Sequence, residues 1–213
     1  MSIENLTNCD FSNNSILNKY NQLLKEDIYY IDKNKFKYCK YPGEILIKDI
    51  INLMSDNLSE PYPILTYRYF LDTWPDLCIT VFDKDDIFAG SLVAGIEETQ
   101  KGKTKGYIAM IAVVNKYRGK RIAKNIIDLF VEKIKNKYKL KEIFLETEVD
   151  NTSALALYES CGFIKDRINS NYYLNGKSAF RLKYYLTNNA DLELVNKFNE
   201  SNILDKSVVS TNL

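Results

Sequence analysis

The chain has 213 residues, 46% hydrophobic and 27% charged, enough to bury one substantial core and ordinary for a soluble globular protein. Its 29 Lys and Arg against 28 Asp and Glu leave a net charge of +1, so no bulk basic excess points to general nucleic-acid binding. The chain has no histidine, and Cys9, Cys39, Cys78 and Cys161 stand apart from one another, so no metal site is expected; the thiols read as reduced and the chain as cytoplasmic. Its N-terminus lacks an apolar signal core, and no segment approaches the ~20 apolar residues of a membrane helix, so no membrane association is expected.

Residues 1–35 are rich in Asn, Lys and Tyr without firm periodicity and read as an extension, poorly ordered or holding a short helix. From Phe36 a brief strand runs through Tyr41 to the Pro42-Gly43 break, followed by a helix with Ile47, Ile50, Ile51, Met54 and Leu58 on one face. Leu58-Ser59-Glu60-Pro61-Tyr62-Pro63 follows as a stiff connector, because its two prolines fix φ and extend the residues before them. A second helix through Tyr67–Leu71 stops near Trp74-Pro75. Residues 77–83, 87–97 and 106–114 then read as a three-stranded meander, with Gly90 and Gly106 marking bulges or weak points. Ile122, Ile126, Phe130 and Ile134 step by four through an amphipathic helix over 119–138, whose Lys133, Lys135 and Lys137 read as a solvated outer face. Asn175-Gly176 signals a hairpin between two last strands, and 187–213 reads as a polar tail.

Residues 143–163 carry the most chemistry. Ile143, Leu145, Thr147 and Val149 alternate with Phe144, Glu146 and Glu148, a period-2 strand that puts both glutamates on one face. Asn151 or Thr152 then caps a helix in which Ala154, Leu157, Tyr158 and Cys161 recur at i, i+3, i+4 and i+7, turning Tyr158 inward; Gly162 ends it. The element order β-α-α-β-β-β-α-β-α-β-β predicts an α/β fold, a mixed sheet flanked by helices, in one domain over 36–187.

Five stretches together resemble the GNAT acetyltransferase superfamily and, more narrowly, the catalytic subunits of NatC-type N-terminal acetyltransferases. They are Leu58–Tyr62, Tyr67–Leu71 with Trp74-Pro75, Gly106–Met110, Leu145–Val149 and Tyr172–Gly176. The resemblance implies the GNAT fold, acetyl-CoA as co-substrate without a metal, and an N-terminal α-amine as acceptor, on proteins beginning with Met before Leu, Ile or Phe. It further implies nascent chains at the ribosome as substrates, and two auxiliary subunits, one a large scaffold and one a small Sm-like protein.

Residue by residue, the resemblance places the pyrophosphate on Arg118-Gly119-Lys120-Arg121-Ile122-Ala123, a turn of backbone N–H groups opening a helix. Arg121 departs from the pattern, standing where the family has glycine; it reads either as an obstruction or as an outward cation. Met110-Ile111-Ala112-Val113 matches the strand whose backbone meets the acetyl group, Met110 also lying along the peptide. Asn151 and Ser153 match cofactor contacts and read equally well as helix caps. Glu146 is implied as general base, Tyr158 as the acid for the departing thiolate, and Tyr107 as a residue ordering a catalytic water. Glu60, Tyr62, Tyr107, Tyr172 and Tyr173 match the wall around the peptide's first residues, although Ser170-Asn171 stands where the family commonly has Phe-Arg.

The absence of histidine bears on the acceptor. An α-amine of pKa ~7.7–8.0 is about a fifth neutral near pH 7.2, whereas a lysine at ~10.4 is under about a thousandth neutral, so a weaker base suffices for the α-amine. Two other readings stay open: a GNAT enzyme acting on internal lysines or other N-termini, and a degenerate GNAT that binds partners without catalysis.

Overall fold

A computed structural model describes residues 27–60, 62–98, 102–138 and 140–186. Among these residues eight strands and four α-helices follow one another as β1 (Ile28–Ile31), β2 (Lys37–Lys40), α1 (Ile47–Ser55), α2 (Ile64–Thr73), β3 (Ile79–Phe82), β4 (Phe88–Glu98), β5 (Thr104–Val113), α3 (Ile122–Lys137), β6 (Glu142–Glu148), α4 (Thr152–Ser160), β7 (Ile164–Asn169) and β8 (Ala179–Tyr185). Backbone pairing orders the strands β1-β2-β3-β4-β5-β6-β8-β7. Among the described residues no helix is long and apolar enough to cross a membrane.

The chain divides into two compact units. Among the described residues, one holds those up to Gly95 together with Ile108–Phe130; the other holds Ile96–Tyr107 and those from Val131 onward.

In the first unit, β1 lies inside the stretch expected to be an extension with at most a short helix. Ile28-Tyr29-Tyr30-Ile31 pairs antiparallel with β2 instead, across a turn closed by Asp32, whose carboxylate accepts from Asn34 N, Phe36 N and the Tyr38 hydroxyl. Residues 1–26 and the expected tail at 187–213 lie outside the described residues. Helix α1 buries Ile47, Ile50, Leu53 and Met54, so Leu53 takes the place expected for Ile51, which is only half-buried. Pro63 caps α2 with extended backbone, and the helix ends at Trp74, before Pro75. Trp74 lies on Gly95, where an added Cβ would meet its ring carbon Cε3 at 2.4 Å. The β3–β4 ladder shifts register between Val81 and Phe82, a bulge at the expected Gly90, where an added Cβ would meet Ala112 O at 3.0 Å.

In the second unit, β6 pairs parallel with β5 at Gly106 and Tyr107, and antiparallel with β8 along its whole length. The alternation in 143–149 puts Phe144, Glu146 and Glu148 on one face of β6, and that face is covered at its middle: Phe144 is 2% exposed and the Glu146 side chain 5%. Helix α4 closes as expected from Gly162, which has φ +91°; Phe163 N donates to Tyr158 O and Gly162 N to Glu159 O, the paired bonds of a left-handed helix stop. The Asn175-Gly176 turn sits inside a longer connection, 170–178, rather than joining β7 to β8 directly. Gly176 N donates to Tyr173 O and Tyr173 N to Lys177 O.

Candidate active site

Each unit carries one set of the expected site residues. In the second unit, Glu146 and Arg181 are register partners on β6 and β8. Arg181 Nε donates to Glu146 Oε1 at 2.7 Å and Nη2 approaches the same oxygen at 2.5 Å. Tyr107, at the end of the parallel ladder, also hydrogen-bonds the Glu146 carboxylate and stacks on Phe144 with ring centroids 4.7 Å apart. Burial pushes the Glu146 carboxyl up; the Arg181 charge and hydrogen bond pull it down, Glu97 pushes it up again and Tyr107 pulls it down, with a net rise above the usual glutamate range. A carboxylate so placed is a stronger base than an exposed one, while its two donors hold its orientation.

Tyr158 lies on the inner side of α4, buried, with its ring 6.0 Å from that of Phe163, the residue that follows the Gly162 stop. The stop therefore fixes the tyrosine through the contact that usually accompanies such a helix end. Burial, then the neighbouring Cys161, pushes its phenol well above the usual range, so the hydroxyl keeps its proton. Asn151 is the helix cap: its Oδ1 accepts from Ala154 N and from Ser153 Oγ, each at 3.1 Å. Capping by Asn151 and exposure of Ser153 leave the hydroxyl at the mouth of α4's first turn.

Tyr172 and Tyr173 meet edge to face, centroids 5.0 Å apart, in the loop before β8. Lys177, just past the turn, reaches Glu148 Oε2 at 2.6 Å and Asp150 Oδ2 at 3.0 Å, while Val149 N donates to Ser178 O. The tyrosine loop is thereby tied to the end of the strand that carries Glu146.

In the first unit, Ile111, Ala112 and Val113 end β5; Ala112 and Val113 are buried, Ile111 is half-buried, and Met110 is a core side chain at 2% exposure. The turn that follows has two residues in the left-handed region, Gly119 at φ +75° and Arg121 at φ +65°. Arg121 thus adopts the backbone that glycine favours at this position, with its side chain exposed; the sequence showed the departure but not this solution to it. An added Cβ at Gly119 would meet nothing within 4 Å. Arg118 folds back onto the protein, Nε donating to Val113 O at 3.2 Å and its guanidinium to the Asn57 side chain. Lys120 lies over the rings of Phe36 and Tyr117. Asn125 N donates to Arg121 O, which joins the turn to the first turn of α3. A turn of this form, opening a sixteen-residue helix among Lys116, Lys120 and Arg121, fits a pyrophosphate, whose charge meets the positive end of the α3 dipole. Glu60 is half-buried and Tyr62 is 37% exposed, both in the connector before α2.

The sequence patterns missed Arg181. A lone arginine between Phe180 and Leu182, on a strand that follows a turn signal, is the one signal that would have pointed to it, as the cross-strand partner of a buried carboxylate.

The profile of the acetyltransferase (GNAT) family matches residues 47–163. The chain is 41% identical over 150 residues to N-alpha-acetyltransferase 30 of Xenopus laevis, covering 70% of this chain and 54% of the relative; it spans about half the length of the vertebrate relatives it matches. With N-alpha-acetyltransferase 30 of Saccharomyces cerevisiae it shares 40% identity over 156 residues, 71% of this chain and 88% of the relative. A crystal structure of the NatC complex bound to Gag peptide and CoA superposes with a TM-score of 0.67 at 38% identity, over 71% of this chain and 99% of the matched chain. The chain belongs to the acetyltransferase (GNAT) family and, within it, to the N-alpha-acetyltransferase 30 group.

Proposed function

We propose that this chain transfers acetyl from acetyl-CoA to the α-amine of proteins that begin with Met followed by Leu, Ile or Phe. The observation that carries this reading is the buried Glu146 carboxylate, held by Arg181 and Tyr107 in a chain without histidine. Similarity to N-alpha-acetyltransferase 30 and to the NatC complex bound to Gag peptide and CoA supports the choice of acceptor.

When bound, acetyl-CoA supplies an acetyl group activated as a thioester. The Arg118–Ala123 turn takes the pyrophosphate through backbone N–H groups at the start of α3, and Lys120 and Arg121 add charge at its edge. The end of β5, Met110–Val113, lies along the acetyl arm, with Asn151 and Ser153 at the mouth of α4 as further contacts. Glu146 accepts the amine proton, directly or through a water that Tyr107 orders. Tyr158 holds a proton at its hydroxyl for the leaving sulfur. Glu60, Tyr62, Tyr107, Tyr172 and Tyr173 bind the first residues of the peptide, joining large apolar faces to single hydroxyls. The chain works in the cytoplasm on nascent chains at the ribosome, with a large scaffold subunit and a small Sm-like subunit as partners.

The test is acetyl transfer by the chain to a Met-Leu peptide, against peptides beginning Ser or Ala and a Met-Leu peptide with a blocked α-amine and a free lysine. Turnover confined to the free Met-Leu end is expected. Turnover on the blocked peptide would move the acceptor to lysine. No turnover with the two auxiliary subunits added would leave a binding module.

A further inference from the structure

Glu146 does not stand alone on β6. Arg181 Nε and Nη2 converge on a single carboxylate oxygen, Oε1, from the neighbouring strand. The guanidinium of Arg181 also lies over the Phe144 ring, 4.5 Å from its centroid, and Phe144 stacks on Tyr107, which returns a hydrogen bond to Glu146. Three side chains, Arg181, Phe144 and Tyr107, on three strands of one unit therefore form a linked set beside the carboxylate. A planar guanidinium resting on an aromatic face has little freedom to turn, so the direction of its two N–H bonds is set by the sheet rather than by the carboxylate it holds.

We propose that Arg181 is the positioning residue of the transfer reaction: by occupying Oε1 it turns Oε2 toward the amine and keeps Glu146 charged to receive the proton. This inference rests on the reading of Glu146 as proton acceptor. A single donor would hold the carboxylate without fixing its rotation, and an apolar residue would do neither.

The charges that face Glu146 come from several strands. Arg181 on β8 and Tyr107 on β5 favour its ionised form, and Glu97 on β4 and burial oppose it. On its own strand Glu148 is engaged by Lys177; beyond Arg181, Lys183 on β8 pairs with Asp166 on β7, and Arg167, the β7 register partner of Arg181, donates to Asn169. Arg181 is the cation in contact with the carboxylate. Without it, burial and Glu97 are opposed by one phenol.

The experiment follows kcat against pH, at saturating Met-Leu peptide and acetyl-CoA, in the wild-type chain with its auxiliary subunits and in Arg181→Met, Arg181→Lys and Glu146→Gln. An acidic limb is expected in the wild type and its loss in Glu146→Gln. Arg181→Met moves the limb to higher pH by about 1–3 units, the usual effect of an opposing charge at contact distance, and regains part of its kcat above it. Arg181→Lys leaves the limb near its wild-type position but lowers kcat, because one ammonium replaces two fixed donors. A limb that stays in place in Arg181→Met while kcat falls equally at every pH would reduce Arg181 to a structural ion pair and overturn the inference. Should Arg181→Met fail to fold, Arg181→Lys with full wild-type kcat overturns it. A limb that survives in Glu146→Gln would sink the assignment of the base itself, an outcome separate from the other two.

Discussion

Glu146 and Arg181 face each other across the antiparallel β6–β8 ladder, and both guanidinium contacts fall on the same carboxylate oxygen, at 2.7 and 2.5 Å. Glu146→Gln keeps the shape of the side chain but removes its capacity to take a proton. It is expected to lower kcat by about 10²-fold or more, the usual contribution of a general base, with acetyl-CoA affinity nearly unchanged. Steady-state kinetics paired with calorimetric titration of acetyl-CoA separates the two; full turnover across the pH range would remove Glu146 from the chemistry.

The same carboxyl makes stability depend on pH in a defined direction. Its pKa is raised in the folded chain above the ordinary 4.5, with burial the largest cause. The folded state then binds this proton more readily than the unfolded state does, so the contribution is full below the ordinary value and is lost as pH rises through the raised one. Urea unfolding of the wild type and of Glu146→Gln over that window is expected to show the wild type losing stability relative to the variant as pH rises, then levelling. A difference constant with pH would contradict the upward shift.

Arg121 occupies left-handed backbone at φ +65°. An L-residue there costs about 1–2 kcal/mol, and glycine returns roughly 0.5–1 kcal/mol of that as added freedom of the unfolded chain. Arg121→Gly should therefore stabilise by up to about 1 kcal/mol, and Arg121→Val, branched at Cβ, should destabilise. Thermal unfolding of the two variants reads this directly; an unstable glycine variant would refute it.

Gly95 has no room for a side chain. A methyl group there would sit 2.4 Å from Cε3 of Trp74, the residue that ends α2. Gly95→Ala is expected to cost about 1–3 kcal/mol in urea unfolding, the range for overpacking a closed contact. Unchanged stability would mean that Trp74 swings aside freely.

Lys177 ties the loop of Tyr172 and Tyr173 to Glu148 and Asp150. In Lys177→Met the loop loses that tether, so KM for the peptide should rise more than kcat falls. An effect confined to kcat would place the tether's role in the chemistry rather than in peptide binding.

Much of this arrangement was legible in the residues. The step of four through Ile122, Ile126, Phe130 and Ile134 and the spacing that turns Tyr158 inward are local patterns, and each of those side chains is buried. Strand β1 was not legible, because Ile28-Tyr29-Tyr30-Ile31 shows no alternation and its pairing depends on a carboxylate, Asp32, whose partners converge only in three dimensions. Arg181 was hidden for a related reason: on β8 it alternates with apolar residues as a solvent-facing cation would, and the glutamate that claims it lies 35 residues earlier. Nor does a sequence state a φ angle, so Arg121 announced a departure from the family's glycine without telling how the backbone meets it.

The strand the patterns passed over sets how far the protein can be cut down. β1 covers the outer edge of β2, Lys40 N donates to Asp27 O, and Asp32 reaches Asn125 of α3 as well as its own turn. A chain trimmed to begin at Phe36 would bare the row of unpaired amides along Lys37–Lys40 beside Tyr38 and Cys39, both buried in the intact fold. Such an open edge invites pairing with a second molecule, so the trimmed protein would be prone to aggregate even with every candidate site residue retained.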